Sequence, residues 1–225
     1  SSTITRASAA RLYEEIQKLF LRGSGAPAFG LLDKSGLLVA LFPGLAKWIY
    51  EDGRRATLVP TNLEYLDQLF QKEARPSPAL FLAALFGPSI EEAALAIHGN
   101  GIPYQQALDA AHALFMKEIC VTASVPGKVG NQLRAILALQ RSLHRMPPRR
   151  PYSVITRPEF NEGMMYLRLG AATKRENRRP MEWWEAFLLK APSLTPADQG
   201  NQQAPRAKRR KKRRRRRRRL PETTV

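Results

Sequence analysis

Twelve consecutive basic residues, Lys208 through Arg219, cannot be buried in a folded domain, because each side chain repels its neighbours and holds its water. The run therefore limits the folding part of the chain to what precedes it. With Arg206 it gives thirteen positive charges against Asp198 and Glu222 from Pro192 onward, so this end carries +11 of the net +18 and the first 191 residues the other +7. Beyond Pro192 the Gln, Pro and Ala content predicts a disordered linker leading into a solvated tail. The natural partner of such a tail is a polyanion, since each phosphate it neutralises releases condensed counterions whatever the base sequence. A localisation address or a solubility tail is the competing use. An acidic membrane fits worst, because no amphipathic or lipidation signal accompanies the charge.

At 225 residues and 44 % hydrophobic content the chain has enough apolar surface for a core. Cys120 is alone, which rules out an intramolecular disulfide, and with His98, His112 and His144 it shows no zinc spacing. A reducing, cytoplasmic setting fits best. The longest apolar stretch, Ala79 to Phe86, falls well short of the roughly 20 residues of a membrane helix, and the first residues lack the order of a signal peptide. The chain starts without Met, and a helical pattern from Arg11 to Leu21 begins almost at once. A piece of a longer protein is the expectation.

Helical spacing dominates. Leu12, Ile16, Leu19 and Phe20 share a face that Gly23 can close, and Pro43 can open a helix carrying Leu45, Trp48 and Ile49. Thr61 with Glu64 has capping-box spacing ahead of Leu66, Leu69 and Phe70. Ser77 and Pro78 make a helix start before Ala79 to Phe86, which is apolar all round and should lie at the centre. Ser89 is placed to cap a further helix ended by Gly99, and Tyr104 to about Cys120 forms a long one. Thr156 and Pro158 restart a helix through Tyr166 and Leu169, and Trp183 and Trp184 head a short last one with Phe187. No useful strand alternation appears, so the predicted fold class is all-α, a multi-helix body with a disordered basic C-terminal tail. The expected division is a helical body over residues 1–146, a helical segment over 147–191 and the arginine-rich tail over 192–225.

Between Pro126 and Met146, Leu133, Ile136, Leu139 and Leu143 gather on one helical face. Arg134, Arg141 and Arg145 fall within about 40° of one another on the opposite face, which carries no acid of that helix. One side should pack and the other present a basic stripe. Lys128 precedes it, and Arg149 and Arg150 extend its charge into a linker with Pro147, Pro148 and Pro151. A solvated surface without a partner is the plain reading of such a stripe; the tail beside it favours phosphate tracking. The candidate RNA contacts are therefore Lys128, Arg134, Arg141, Arg145, Arg149, Arg150, Arg206, Lys208, Arg209, Arg210, Lys211, Lys212, Arg213, Arg214, Arg215, Arg216, Arg217, Arg218 and Arg219.

Catalytic signals are weak. Gly23, Ser24, Gly25 and Gly30 mimic a phosphate loop, but no strand precedes them and no Lys-Ser or Lys-Thr pair follows, so they read as a helix-to-helix turn. Glu14 and Glu15, Glu51 and Asp52, and Glu91 and Glu92 are adjacent acids suited to solvated faces or helix ends, not a clamp for two metal ions. Ser124 and Cys120 have no base nearby in sequence, and His112 among alanines reads as a core or boundary residue. Trp183 and Trp184 could stack on bases, though one of two adjacent helical Trp ordinarily packs inward. No catalytic residue, metal ligand or cofactor is assigned to this chain.

The order of segments adds a resemblance. Ala9 to Glu15 (AARLYEE), Leu37 to Pro43 (LLVALFP), Ser77 to Phe86 (SPALFLAALF) and Val125 to Leu143 (VPGKVGNQLRAILALQRSL) are followed by Arg157-Pro158-Glu159-Phe160 with Met164 to Leu169, then Trp183 to Phe187 and the basic tail. Together they resemble the region downstream of the catalytic head in bacterial poly(A) polymerases, relatives of the CCA-adding enzymes. Arg157 stands where that family often has His, and Asn161 and Glu162 replace part of its basic-then-small pattern. The resemblance implies a parent that extends RNA 3′ ends from ATP, with Mg²⁺ held by an N-terminal nucleotidyltransferase head that has no counterpart in these residues. It implies that this part holds single-stranded RNA 3′ ends beside that head and is inactive alone. A stand-alone RNA-binding or ribonucleoprotein factor and the C-terminal part of a CCA-adding enzyme are the alternatives.

Overall fold

The apolar run after Ser77 becomes the axis of the structure. The computed structural model describes residues 2–72 and 75–190. Among them are eleven α-helices and no strand, as the helical spacing predicts. They are α1 (Ser2–Phe20), α2 (Gly25–Lys34), α3 (Leu37–Leu41), α4 (Pro43–Glu51), α5 (Leu58–Gln71), α6 (Pro78–His98), α7 (Tyr104–Thr122), α8 (Gly127–Leu143), α9 (Pro151–Ile155), α10 (Phe160–Thr173) and α11 (Arg178–Lys190). Two 3₁₀ turns, Gly53–Thr57 and Arg175–Asn177, complete the described elements. Residues up to Glu185 form one compact unit; a second begins at Ala186, and its described part is the end of α11. The tail expected over 192–225, with Arg206 and Lys208 to Arg219, lies outside the described residues.

Pro78 takes the first position of α6, where its missing N–H costs nothing, and the Ser77 Oγ accepts from the Leu80 N–H at 3.0 Å. Ala79 to Leu85 are each 0–1 % exposed, so the helix is covered all round by α5, α7, α8 and α10. Phe20 and Phe86 tie neighbouring elements to it, at 5.1 Å from Phe81 and 4.8 Å from Phe115 between ring centres. By length and composition α6 could cross a membrane, yet 61 % of its most apolar window is buried inside the protein.

The helix does not restart at Ser89, contrary to the sequence expectation. It runs on through Pro88, and the Ser89 Oγ donates back to the Phe86 carbonyl at 2.8 Å. A proline has no N–H for the carbonyl four residues earlier, here Ala84, and such an orphan in a core is costly. Asn62 of α5 removes that cost by donating its Nδ2 to the Ala84 carbonyl at 3.0 Å. Asn62→Leu should therefore destabilise the protein by about 1 to 3 kcal/mol. Pro88→Ala in that background should recover part of it by restoring the helical bond, and chemical unfolding of the four proteins in a double-mutant cycle measures this coupling.

Other boundaries also move. Thr61 does not cap α5, which starts at Leu58 with Pro60 in its first turn; its hydroxyl donates to the Thr57 carbonyl at 2.8 Å. Leu19 is 41 % exposed, and Tyr13 joins Ile16 and Phe20 on the buried face of α1 instead. The short helices α2, α3 and α9 lack the length for a clear period, and sequence reasoning left them unassigned. The turn that mimics a phosphate loop already holds an anion of its own: the buried Asp67 carboxylate of α5 accepts from the Gly25 and Ala26 N–H groups at 2.7 and 3.0 Å. Gly23 permits that turn through its positive φ of 79°. Beyond Pro147, α10 packs on α8, α5 and α6, and its Tyr166 and Leu169 belong to the same core cluster as Phe81 and Leu133.

Candidate nucleic-acid interface

Helix α8 divides as its spacing requires. Leu133, Ile136, Leu139 and Leu143 are 0–1 % exposed, while Lys128 and Arg141 on the helix and Arg145, Arg149 and Arg150 beyond its end are exposed. Arg134 differs from the expectation of a face without acids: its Nε donates to Asp109 Oδ1 of α7 at 2.6 Å. The guanidinium beside it lowers the Asp109 pKa. This pair is partly exposed, so it adds little stability, but it neutralises one of the three stripe arginines. The partner acid lies 25 residues away in sequence and is brought in only by the packing of α7 on α8.

Arg141 points the stripe toward a cleft of about 980 Å³. Its guanidinium lies 5.4 Å from the ring centre of Tyr104, the first residue of α7. A second such pair stands in the same cleft, with Arg55 4.8 Å from the Trp48 ring centre; Arg55 is also ion-paired to Glu92, to which the Trp48 Nε1 donates at 3.0 Å. Glu91 lies deeper and accepts from the Tyr166 hydroxyl at 3.1 Å. Burial raises the Glu91 pKa, an effect that Lys174, the Tyr166 hydroxyl and His144 partly offset. Burial and then the Glu91 charge push Tyr166 well above its ordinary value. A β-carbon at Gly87 would collide with the Tyr166 ring, so the glycine in the middle of α6 is what lets the phenol reach Glu91. His144 and Asn177 close one side, with the His144 Nε2 2.8 Å from the Asn177 Oδ1.

Sequence reasoning placed Arg141 on a stripe but found none of Trp48, Glu91, Tyr104, His144, Tyr166 or Lys174 as site residues. They come from five separate stretches of chain, and no spacing rule connects them. The mid-helix Gly87-Pro88 pair was the one local signal that something unusual approaches α6 there. His112 is 8 % exposed, the boundary residue expected, and Cys120 is an exposed free thiol. Trp184 is fully buried and Trp183 partly so. Among the described residues no group of three or more His, Cys, Asp or Glu is placed to hold a metal.

These features define a class, a helical body with an exposed cationic face and a polybasic extension. The chain belongs to the poly(A) polymerase family: the family described as "Polymerase A arginine-rich C-terminus" matches residues 100–219, more than half of the chain, and "Probable RNA and SrmB- binding site of polymerase A" matches residues 1–49. It is 29 % identical to poly(A) polymerase I of Salmonella typhi over 211 residues, 89 % of this chain and 45 % of that protein. Against poly(A) polymerase I of Escherichia coli O6:H1 the identity is 29 % over 81 % of the chain and 40 % of the relative, and against that of Haemophilus influenzae 27 % over 79 % and 40 %. The chain thus spans less than half the length of these curated relatives.

Proposed function

We propose that this chain is the RNA-holding C-terminal part of a cytoplasmic enzyme that adds adenylate from ATP to RNA 3′ ends, the transfer itself belonging to a nucleotidyltransferase head outside these residues. The observation that carries this reading is the segregation of α8 and the residues after it, with Leu133, Ile136, Leu139 and Leu143 fully buried while Lys128, Arg141, Arg145, Arg149 and Arg150 stay exposed, in a sequence that also carries a polybasic run. Cations so placed track phosphates without reading bases, which suits a strand that must be held near its end and slid forward as it grows. The residues present do not fit the Mg²⁺ of phosphoryl transfer: Asp52 and Glu92 are each paired with an arginine, and Glu91 is bound by Tyr166. ATP and the metal are accordingly assigned to the head.

The test uses RNA-binding titrations. Lys128→Glu, Arg145→Glu and Arg149→Glu combined should weaken binding of unrelated single-stranded RNAs together, by about tenfold or more at low salt, with folding unchanged because all three are exposed. Arg134 is spared, since a glutamate there would face Asp109. The same substitutions should lower adenylation by a protein that includes the head. The chain alone, given primer, ATP and Mg²⁺, should yield no extended product on a gel. Unchanged RNA affinity in the folded triple variant would overturn the role of the stripe.

A further inference from the structure

A second set of cations stands against the end of α8, and neither the stripe nor helical spacing accounts for it. Residues 174–179 read Lys-Arg-Glu-Asn-Arg-Arg, four cations to one acid. Arg175, Arg178 and Arg179 are exposed, and among the described residues none of the three enters an ion pair. Lys174 is partly exposed and offsets the Glu91 charge in the cleft. The fold joins this segment to the stripe through one contact. His144, next to Arg145 and three residues after Arg141, has its Nε2 2.8 Å from the Oδ1 of Asn177, which lies between Arg175 and Arg178. Asn177 is 8 % exposed, and a β-carbon at Gly170 would overlap its amide nitrogen, so α10 carries a glycine where the two segments close on each other. The bond from the Trp184 Nε1 to the Leu143 carbonyl holds α11 to the same end of α8. Two cationic segments, more than 20 residues apart in the chain, therefore meet within a residue or two of a single hydrogen bond.

We propose that Arg175, Arg178 and Arg179 form a second arm of the RNA track, so that a single strand held at the end of α8 by Arg141 and Arg145 crosses the His144–Asn177 contact and lays its next phosphates against the start of α11. The inference rests on the RNA-holding reading above and adds a path and three contacts to it. The arginines do not serve their own helix. Arg178 and Arg179 open α11, whose first turn holds no acid, so they stand at the positive end of the helix dipole, where a cation costs stability and an anion restores it. Arg178 is steadied by its Nε, which donates to the Ala171 carbonyl at 3.4 Å. A guanidinium offers phosphate a planar fork of donors, and such contacts position a strand without reading its bases. An acidic protein segment would meet the same charge, but the continuity of this arm with the exposed cations of α8 favours a partner whose charge repeats evenly along its length, a phosphate backbone.

The experiment titrates the full chain with labelled rU12 at four or five salt concentrations. Arg175→Gln with Arg179→Gln should weaken binding by about tenfold at low salt and flatten the log–log salt dependence by about 1.4, or about 0.7 for each of two phosphates released. Both residues are exposed, and removing Arg179 relieves the start of α11, so stability should be unchanged or slightly raised. Lys72→Gln with Arg75→Gln is the control. It removes the same charge from exposed positions beyond the end of α5 opposite to Leu58 and Asn62, which line the cleft, and it should change affinity by about twofold at most. Unchanged affinity in the Arg175→Gln, Arg179→Gln protein, or an equal loss in the control, would overturn the arm. The RNA-holding reading survives that outcome if Lys128→Glu, Arg145→Glu and Arg149→Glu combined still weaken binding, and both fall if no set of substitutions does. A parallel titration with a peptide of twelve glutamates separates the remaining case: a double variant that loses the peptide while keeping rU12 would assign the arm to an acidic protein segment and overturn the proposal.

Discussion

Trp184→Ala should lower stability by about 3 to 5 kcal/mol in chemical unfolding, among the largest single effects available in this protein. Trp184 is 0 % exposed, so truncation leaves a cavity the size of an indole. Its ring meets Phe160 edge-on with centres 5.7 Å apart, joining α11 to the start of α10. Its Nε1 also donates to the Leu143 carbonyl at 2.9 Å. That carbonyl is among the last four of α8, which have no partner within their own helix, so the indole ends α8 as well as filling space. Trp184→Phe separates the two contributions: it keeps most of the volume, leaves the carbonyl without its donor and should cost about 1 to 3 kcal/mol. Equal losses for Ala and Phe would show that the hydrogen bond, and not the packing, dominates.

Removing residues 206–225 should change RNA affinity more than any substitution in the body. The deletion takes away thirteen cations, and binding to a single strand falls with salt by about 0.7 in log–log slope for each phosphate neutralised. If about half of the thirteen engage at once, the slope should flatten by about 4 to 5, and affinity at 50 mM salt should drop by orders of magnitude. Any preference among bases should survive, because these contacts do not read sequence. Titrations of several RNAs at four or five salt concentrations measure both quantities. A slope that does not change would assign the electrostatic contact to the body alone.

Much of this molecule was legible because it is local. The all-round apolar run after Ser77 could only be a buried helix, and the phase of Leu133, Ile136, Leu139 and Leu143 fixed which side of α8 would face the core. Where reading the chain failed, a distant group had supplied what local rules assumed missing. A new helix was expected at Ser89, but α6 continues through Pro88 because Asn62 serves the carbonyl that Pro88 orphans.

The same division runs through the interface. Sequence by itself determined the helical class, the order of family segments and the exposure of Arg141 and Arg145, since helical period is a property of neighbouring residues. Tertiary structure alone decided that Asp109 neutralises Arg134, that Arg141 is free to cover Tyr104, and that Glu91, Tyr166 and Lys174 meet in one cleft. The physical reason is range. A hydrogen bond or ion pair acts over a few ångströms, and only the packing of α7, α8 and α10 around α6 brings residues as far apart in sequence as Glu91 and Tyr166 within that distance.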